Sequence, residues 1–215
     1  MTGNKVLKTA ALVLVFSVFI TGYSPAQAKF GPRTEQLLKI FKSDTFHMKA
    51  KMSGGGQETD IETFVKGGMS LLTMSSGSQI TRIIARDNKL YMIDESKKTI
   101  TIIPTTEDNN NSGKIYKDDM RYTGSGTAVF GGRSLPYEEY ITENDDDYEY
   151  EYDDKNDNVN IVQYFIDGNR IAGSRTITHF GNIDTVISVL DQNVPANVFN
   201  VPTSGYQIQD MPKGF

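Results

Sequence analysis

Residues 79–104 read QITRIIARDNKLYMIDESKKTITIIP. Three apolar runs, Gln79 to Ala85, Leu90 to Ile93 and Thr99 to Ile103, are divided by Asp87-Asn88 and by Glu95-Ser96-Lys97-Lys98. Each run is rich in β-branched or aromatic residues and too short for a stable helix, while Asp and Asn favour tight turns. The stretch predicts three antiparallel strands joined by hairpins, and Pro104 ends the series because it has no N–H to donate to a ladder.

The same punctuation extends both ways. Upstream lie Thr45 to Met52, a Gly54-Gly55-Gly56 turn, Ile61 to Val65 and Met69 to Met74. Downstream lie Arg121 to Phe130, Tyr137 to Thr142, Tyr148 to Asp153, Val159 to Ile166 and Arg170 to Thr178. Thr185 to Leu190 fits a strand or a helical turn, and Val194 to Pro202 reads as an extended, turn-rich closing segment. Residues 105–119 are polar and aperiodic and read as a loop. One helical pattern precedes the strands: after Pro32-Arg33, the residues Leu37, Leu38 and Phe41 share a helical face beside Ile40. Thr34 is a candidate N-cap, although residue 37 is not the glutamate of a capping box.

The fold expected is mainly β: a curved antiparallel sheet of about ten strands forming an incomplete barrel, with a short N-terminal helix. Some strands are apolar on both faces. Val159, Ile161 and Phe165 alternate with Val162, Tyr164 and Ile166, and Leu90 to Ile93 is similar. A sheet wet on one side would alternate more cleanly. The pattern suits either a cavity lined by such residues or a sheet plugged by its own core.

The N-terminus reads as a secretory signal peptide. Lys5 and Lys8 precede an apolar run from Ala10 to Ile20; Pro25 breaks it, and Ala26-Gln27-Ala28 offers small-x-small cleavage chemistry. The run is shorter than the roughly 18 apolar residues a membrane-spanning helix needs. Cleavage after Ala28 leaves one domain, residues 29–215, with 20 basic and 27 acidic residues and thus a net charge of −7. The expected location is periplasmic or extracellular, in a bacterium.

This charge disfavours nucleic acid, whose phosphates call for a basic footprint. The chain has no cysteine, which excludes a lipidated cysteine, disulfides and thiolate metal sites. His47 and His179 are far apart and lack metal-ligand spacing. Gly124-Ser125-Gly126 lacks the strand-turn-helix setting of a nucleophile elbow. No nucleophile, base and orienting group assemble in the sequence, so no enzyme activity and no cofactor are expected.

Glu143 to Asp157, ENDDDYEYEYDDKND, holds nine acids and one lysine. As a strand it would set Tyr148, Tyr150 and Tyr152 opposite Glu149, Glu151 and Asp153. Such a charged edge blocks edge-to-edge pairing, and the tyrosine face is a candidate protein-interaction surface. A weaker alternative is Ca²⁺ held by Asp145, Asp147, Asp154 and Asp157, although the spacing departs from an EF-hand loop.

The succession Arg82-Ile83-Ile84-Ala85, Tyr91-Met92-Ile93-Asp94 and Thr101-Ile102-Ile103-Pro104 resembles the LolA/LolB/LppX-like lipoprotein-carrier superfamily. So do Gly126 to Gly132 with Tyr137-Glu138-Glu139-Tyr140, and the closing Val194 to Pro202. The resemblance implies an incomplete barrel around helical material, an apolar cavity, and carriage of lipids or lipoproteins without catalysis. The expectation is therefore a non-enzymatic envelope protein binding an apolar or amphiphilic ligand, without stable membrane insertion. The candidate lining is Ile84, Tyr91, Ile93, Ile102, Phe130 and Tyr164. The alternative is a protein–protein interaction or sensor module on the same scaffold, Ca²⁺-stabilised or not.

Overall fold

A computed structural model of the chain describes residues 31–104, 120–143 and 159–210. Two short helices, α1 (Pro32–Leu37) and α2 (Lys39–Lys42), precede the sheet. Six strands follow: β1 (Thr45–Gly54), β2 (Gln57–Lys66), β3 (Met69–Ser76), β4 (Gln79–Arg86), β5 (Lys89–Asp94) and β6 (Thr99–Pro104). Then come β7 (Met120–Phe130), β8 (Arg133–Glu143), β9 (Val159–Asp167), β10 (Arg170–Thr178), β11 (Gly181–Asp191) and β12 (Gln207–Asp210). They form one twelve-stranded sheet in the order β12-β6-β5-β4-β3-β2-β1-β11-β10-β9-β8-β7. The sheet does not close, since β12 and β7 end the order rather than pairing. This is the curved, incomplete barrel expected. The segment 185–190 is strand, paired on both sides, and β12 adds a parallel edge against β6 to an otherwise antiparallel ladder.

The turns explain the hairpins locally. Asp87 and Asn88 have φ of 53° and 55°, the paired left-handed geometry of a two-residue type I′ turn, whose twist matches the flanking strands. Between β5 and β6, Asp94 Oδ1 accepts hydrogen bonds from Ser96 N (3.0 Å), Ser96 Oγ (2.6 Å) and Lys97 N (2.9 Å). These bonds, Ser96 first and then Lys97, hold the Asp94 carboxyl well below the usual carboxylate range.

Directly registered residues project to the same face of a sheet, and that face alternates along each strand. The registers therefore sort every side chain onto one of two faces. On the first, the helix face, lies the largest core: Phe46, Met48 and Ala50 of β1, Tyr140 of β8, Val162 and Tyr164 of β9, Ile171 of β10 and Ile187 of β11. Leu38 caps this core from above, flanked by Leu37, Ile40 and Phe41. The helical pattern in the sequence thus supplies an apolar plug.

The second face carries two smaller cores. Leu71, Ile84, Ile93 and Ile100 of β3–β6 pack beneath Val194 and Phe199 of residues 192–206, here termed the strap. Phe130, Leu135, Phe165 and Ala172 form the other, with the Phe130 and Phe165 rings stacked at 4.1 Å. Between these two cores the strap face is polar. His47, Lys49, Lys51, Glu58, Glu62 and Asp191 of the central strands pair with one another there. Burial therefore changes sides along the sheet: β1 and β2 bury the helix face, whereas β3–β6 bury the strap face. Strand β9, apolar on both faces in the sequence, serves both, with Val162 and Tyr164 in the helix-face core and Phe165 in the strap-face core.

Candidate functional site

The helix-face core ends at β2, but the apolar surface does not. The register carries Met48 to Thr63, Thr63 to Leu72, Leu72 to Ile83 and Ile83 to Met92 across β1–β5. A parallel row runs Val65, Ser70, Ala85, Leu90 and Ile103. Leu72, Met74, Ile83, Leu90 and Ile103 are only half-buried, and Met92 is 40% exposed. None of them belongs to any of the three cores. The result is an apolar shelf on the helix face of β3–β6, adjoining the α1–α2 plug. At its inner margin Thr63 is fully buried, and its hydroxyl has no hydrogen-bond partner among the described residues.

The plug beside the shelf is held by an unusual cap. Helix α1 starts at Pro32 after an N-cap Gly31 that has no side chain to give. Glu138, buried at 4% exposure, reaches across from β8 instead and accepts hydrogen bonds from Arg33 N (3.2 Å) and Thr34 N (2.9 Å). Tyr140 Oη donates to Glu138 Oε2 (3.2 Å) and accepts from Gly31 N (2.9 Å). A carboxylate at a helix N-terminus satisfies N–H groups that have no intrahelical acceptor and opposes the positive end of the dipole. Burial pushes the Glu138 carboxyl up, but the bonds from Thr34, Arg33 and Tyr140 outweigh it and hold the group below its ordinary value. Burial and the neighbouring Glu138 charge raise Tyr140, against the hydrogen bond from Gly31, so it keeps its proton and stays a donor. A Cβ on Gly31 would lie 2.3 Å from Glu138 Oε2, so glycine is what lets the carboxylate reach the helix.

The six candidate lining residues do not meet in one cavity. Ile84 and Ile93 have no exposed surface and lie in the core beneath the strap, with Tyr91 and Ile102 against it. Tyr91 and Ile102 also line a cleft of about 550 Å³ on the strap face, shared with Arg86, Asp87, Ile100, Asn200, Val201, Thr203 and Ile208. Phe130 belongs to the separate core of β7–β10. Of the six, Tyr164 alone is on the helix face, and it is buried in the main core. Tyr148, Tyr150 and Tyr152, the acids Asp145, Asp147, Asp154 and Asp157, the loop 105–119 and the export signal 1–28 all lie outside the described residues.

His47 Nε2 is 3.0 Å from Glu62 Oε1, its Nδ1 is 3.5 Å from Asp191 Oδ1, and its ring stacks on Phe64 at 4.2 Å. It is a member of the polar strap-face centre. His179 sits in the β10–β11 turn against Phe180. Among the described residues no group of three or more His, Asp or Glu side chains is placed to hold a metal ion, and no helix is long and apolar enough to cross a membrane.

Known structures superpose on much of this chain. An uncharacterized conserved protein from Thermus thermophilus superposes with a TM-score of 0.53 at 7% identity, over 83% of this chain and 96% of that one. Solved structures similar to this chain include lipoprotein LppX of Mycobacterium tuberculosis (TM-score 0.46, 12% identity, 76% of this chain and 95% of that one). They also include a LolA superfamily protein of Nitrosomonas europaea (TM-score 0.33, 9% identity, 80% of this chain and 99% of that one). At these identities the likeness is one of fold alone. No protein-family model matches the chain, and no curated protein matches it in sequence.

The shelf and the Glu138 cap were not found by sequence reasoning. Two signals in the sequence bear on them. Ile83, Leu90, Met92 and Ile103 are apolar neighbours of the residues chosen for the lining, one position out of phase. Glu138 is an acid two residues from Tyr140, on the same face of a strand whose other face carries Glu139.

Proposed function

We propose that this is an exported, non-enzymatic binding protein of the bacterial cell envelope that holds an apolar or amphiphilic ligand, of lipid or lipoprotein-acyl character, on the helix face of β3–β6. The observation that carries the reading is the shelf itself: Leu72, Met74, Ile83, Leu90, Met92 and Ile103 continue the helix face outward, incompletely buried and outside all three cores. Ligand sites are commonly apolar surfaces beside a few polar groups, and extended apolar patches on a monomer's surface mark interaction sites. The export signal read in residues 1–28 and the resemblance of the strand succession to the LolA/LolB/LppX-like carriers support the same function without fixing the ligand.

Native mass spectrometry of protein purified without detergent tests it: a retained lipid-sized mass is expected. Met92→Asp places a charge on the shelf at an already exposed position. It should weaken binding of a fluorescent fatty-acyl probe by roughly tenfold or more, given what burying an unpaired charge costs, while leaving the melting temperature nearly unchanged. Equal probe binding by Met92→Asp and wild type would sink the assignment to this face.

A further inference from the structure

The cleft on the strap face is a second concavity, on the opposite side of the sheet from the proposed shelf, and its chemistry is different. Its floor is Tyr91 of β5, Ile100 and Ile102 of β6 and the 53%-exposed Ile208 of β12; Val201 of the strap adds a further apolar side chain. Asn200 and Thr203 add polar groups from the strap, and at the β4–β5 turn the cleft is lined by Arg86 and Asp87.

Arg86 is held in place from two sides. Its Nε donates to Asp87 Oδ2 (2.7 Å) and its Nη1 to Phe199 O (3.3 Å). A guanidinium has five N–H groups in a rigid fork. Two of them have acceptors, and the other three, which include both on Nη2, have none among the described residues. Asp87 is exposed and on the Nε side, so it orients the group while Nη2 keeps its donors. A guanidinium positioned by Asp87 and Phe199, with both Nη2 N–H groups lacking an acceptor among the described residues, has donors to offer a carboxylate beside an apolar floor.

We infer that this cleft is a separate site for a small monocarboxylate with an apolar body, its carboxylate on the Nη2 donors of Arg86 and its body over Tyr91, Ile102 and Ile208. The site goes beyond the lipid-binding shelf and stands or falls independently of it. Two features of the fold build it: the left-handed Asp87-Asn88 turn, which sets the Arg86–Asp87 pair, and the strap, whose Phe199 carbonyl fixes the guanidinium.

Titrating 4-phenylbutyrate and, separately, 4-phenylbutanol into isotope-labelled full-length protein tests this by NMR. The acid should shift resonances of Tyr91, Ile102 and Ile208, bind about tenfold or more tighter than the alcohol, as charge-assisted hydrogen bonds warrant, and lose that preference in Arg86→Gln. Because Arg86 also contacts the strap, Ile208→Glu provides a variant at an exposed position. It should repel the acid while keeping the wild-type spectrum elsewhere. Equal affinity for acid and alcohol, retained acid binding in both variants, or no response at all would overturn the site. Shifts confined to Leu72, Ile83 and Met92 would also overturn it while leaving the shelf reading intact. Acid binding at the cleft alongside an acyl probe that ignores the shelf would do the reverse.

Discussion

Truncating Glu138 to alanine removes the acceptor for two backbone N–H groups of α1 and for the Tyr140 hydroxyl. Loss of an N-cap acceptor costs about 1 kcal/mol. Hydrogen bonds to a charged partner are worth roughly 1.5–3 kcal/mol each, and a buried donor left without a partner adds its own penalty. Water entering the vacated space restores part of this, so the expected cost is about 2–4 kcal/mol. For a chain of this size that is a fall of roughly 5–15 °C in melting temperature. Glu138→Gln keeps one acceptor oxygen but loses the charge and sets its NH2 against a backbone N–H donor of Arg33 or Thr34, so it should still cost about 1–3 kcal/mol.

The pH dependence sharpens the test. The folded-state pKa of Glu138 lies below its unfolded value. Its contribution is therefore complete above an unfolded carboxylate pKa of about 4.3 and is lost as pH falls through the lower folded value. Thermal melts of wild type and Glu138→Ala should differ most at neutral pH and converge in that acid window. Gly31→Ala offers an independent route to the same loss, because its Cβ would occupy the carboxylate's position while its φ of −59° suits alanine. In a double-mutant cycle the second change should cost much less than the first. A Glu138→Ala protein that melts within about 1 °C of wild type, or two substitutions that simply add, would refute the claim that this carboxylate fastens the plug.

The strap has its own polar clasp. Glu95 pairs with Arg82 (3.3 Å) and Lys98 (3.2 Å) and accepts a hydrogen bond from Tyr206 Oη. The Tyr206 bond is the main reason its carboxyl lies below the ordinary value, with burial opposing and Lys98 and Arg82 assisting. Tyr206→Phe should cost about 1 kcal/mol by denaturant titration, and hydrogen exchange should rise first in residues 192–206; unchanged exchange there would count against the clasp. In the wild type this contribution is present above about pH 4.3 and declines as pH falls through the lower folded value. Gly173→Ala should be far more severe. Its Cβ would meet Thr185 O at 2.0 Å and Phe130 Cζ at 2.7 Å, at a φ of 153°, so a loss of about 3 kcal/mol or more, or failure to fold, is expected by urea denaturation. A variant of wild-type stability would mean that Phe130 and Phe165 do not pack on that backbone.

Several elements are legible in the sequence because their signals are local. Asp87-Asn88 needs no distant partner to turn the chain, and Pro32 marks the start of α1 on its own. Others are not. Four residues, Gln207–Asp210, have no strand signature and are a strand only because β6 offers a parallel edge. Residues 185–190 are ambiguous alone and become strand through the long-range ladders to β1 and β10. Thr34 suits an N-cap by residue type, but the helix begins at Pro32 after Gly31, and the acceptor for the Thr34 N–H comes from Glu138, more than a hundred residues away.

The stretch at residues 79–104 shows where the division falls. Its composition determined three strands, their hairpins and their apolar character, since side-chain shape and turn chemistry act over a few residues. It did not determine which apolar row is core. Ile83 and Ile84 are chemically identical neighbours on opposite faces. Ile84 is buried because the strap returns from residues 192–206 to cover it, while Ile83 stays on the half-buried shelf. Alternation divides a strand into two faces, but only the tertiary structure decides which face another part of the chain will cover.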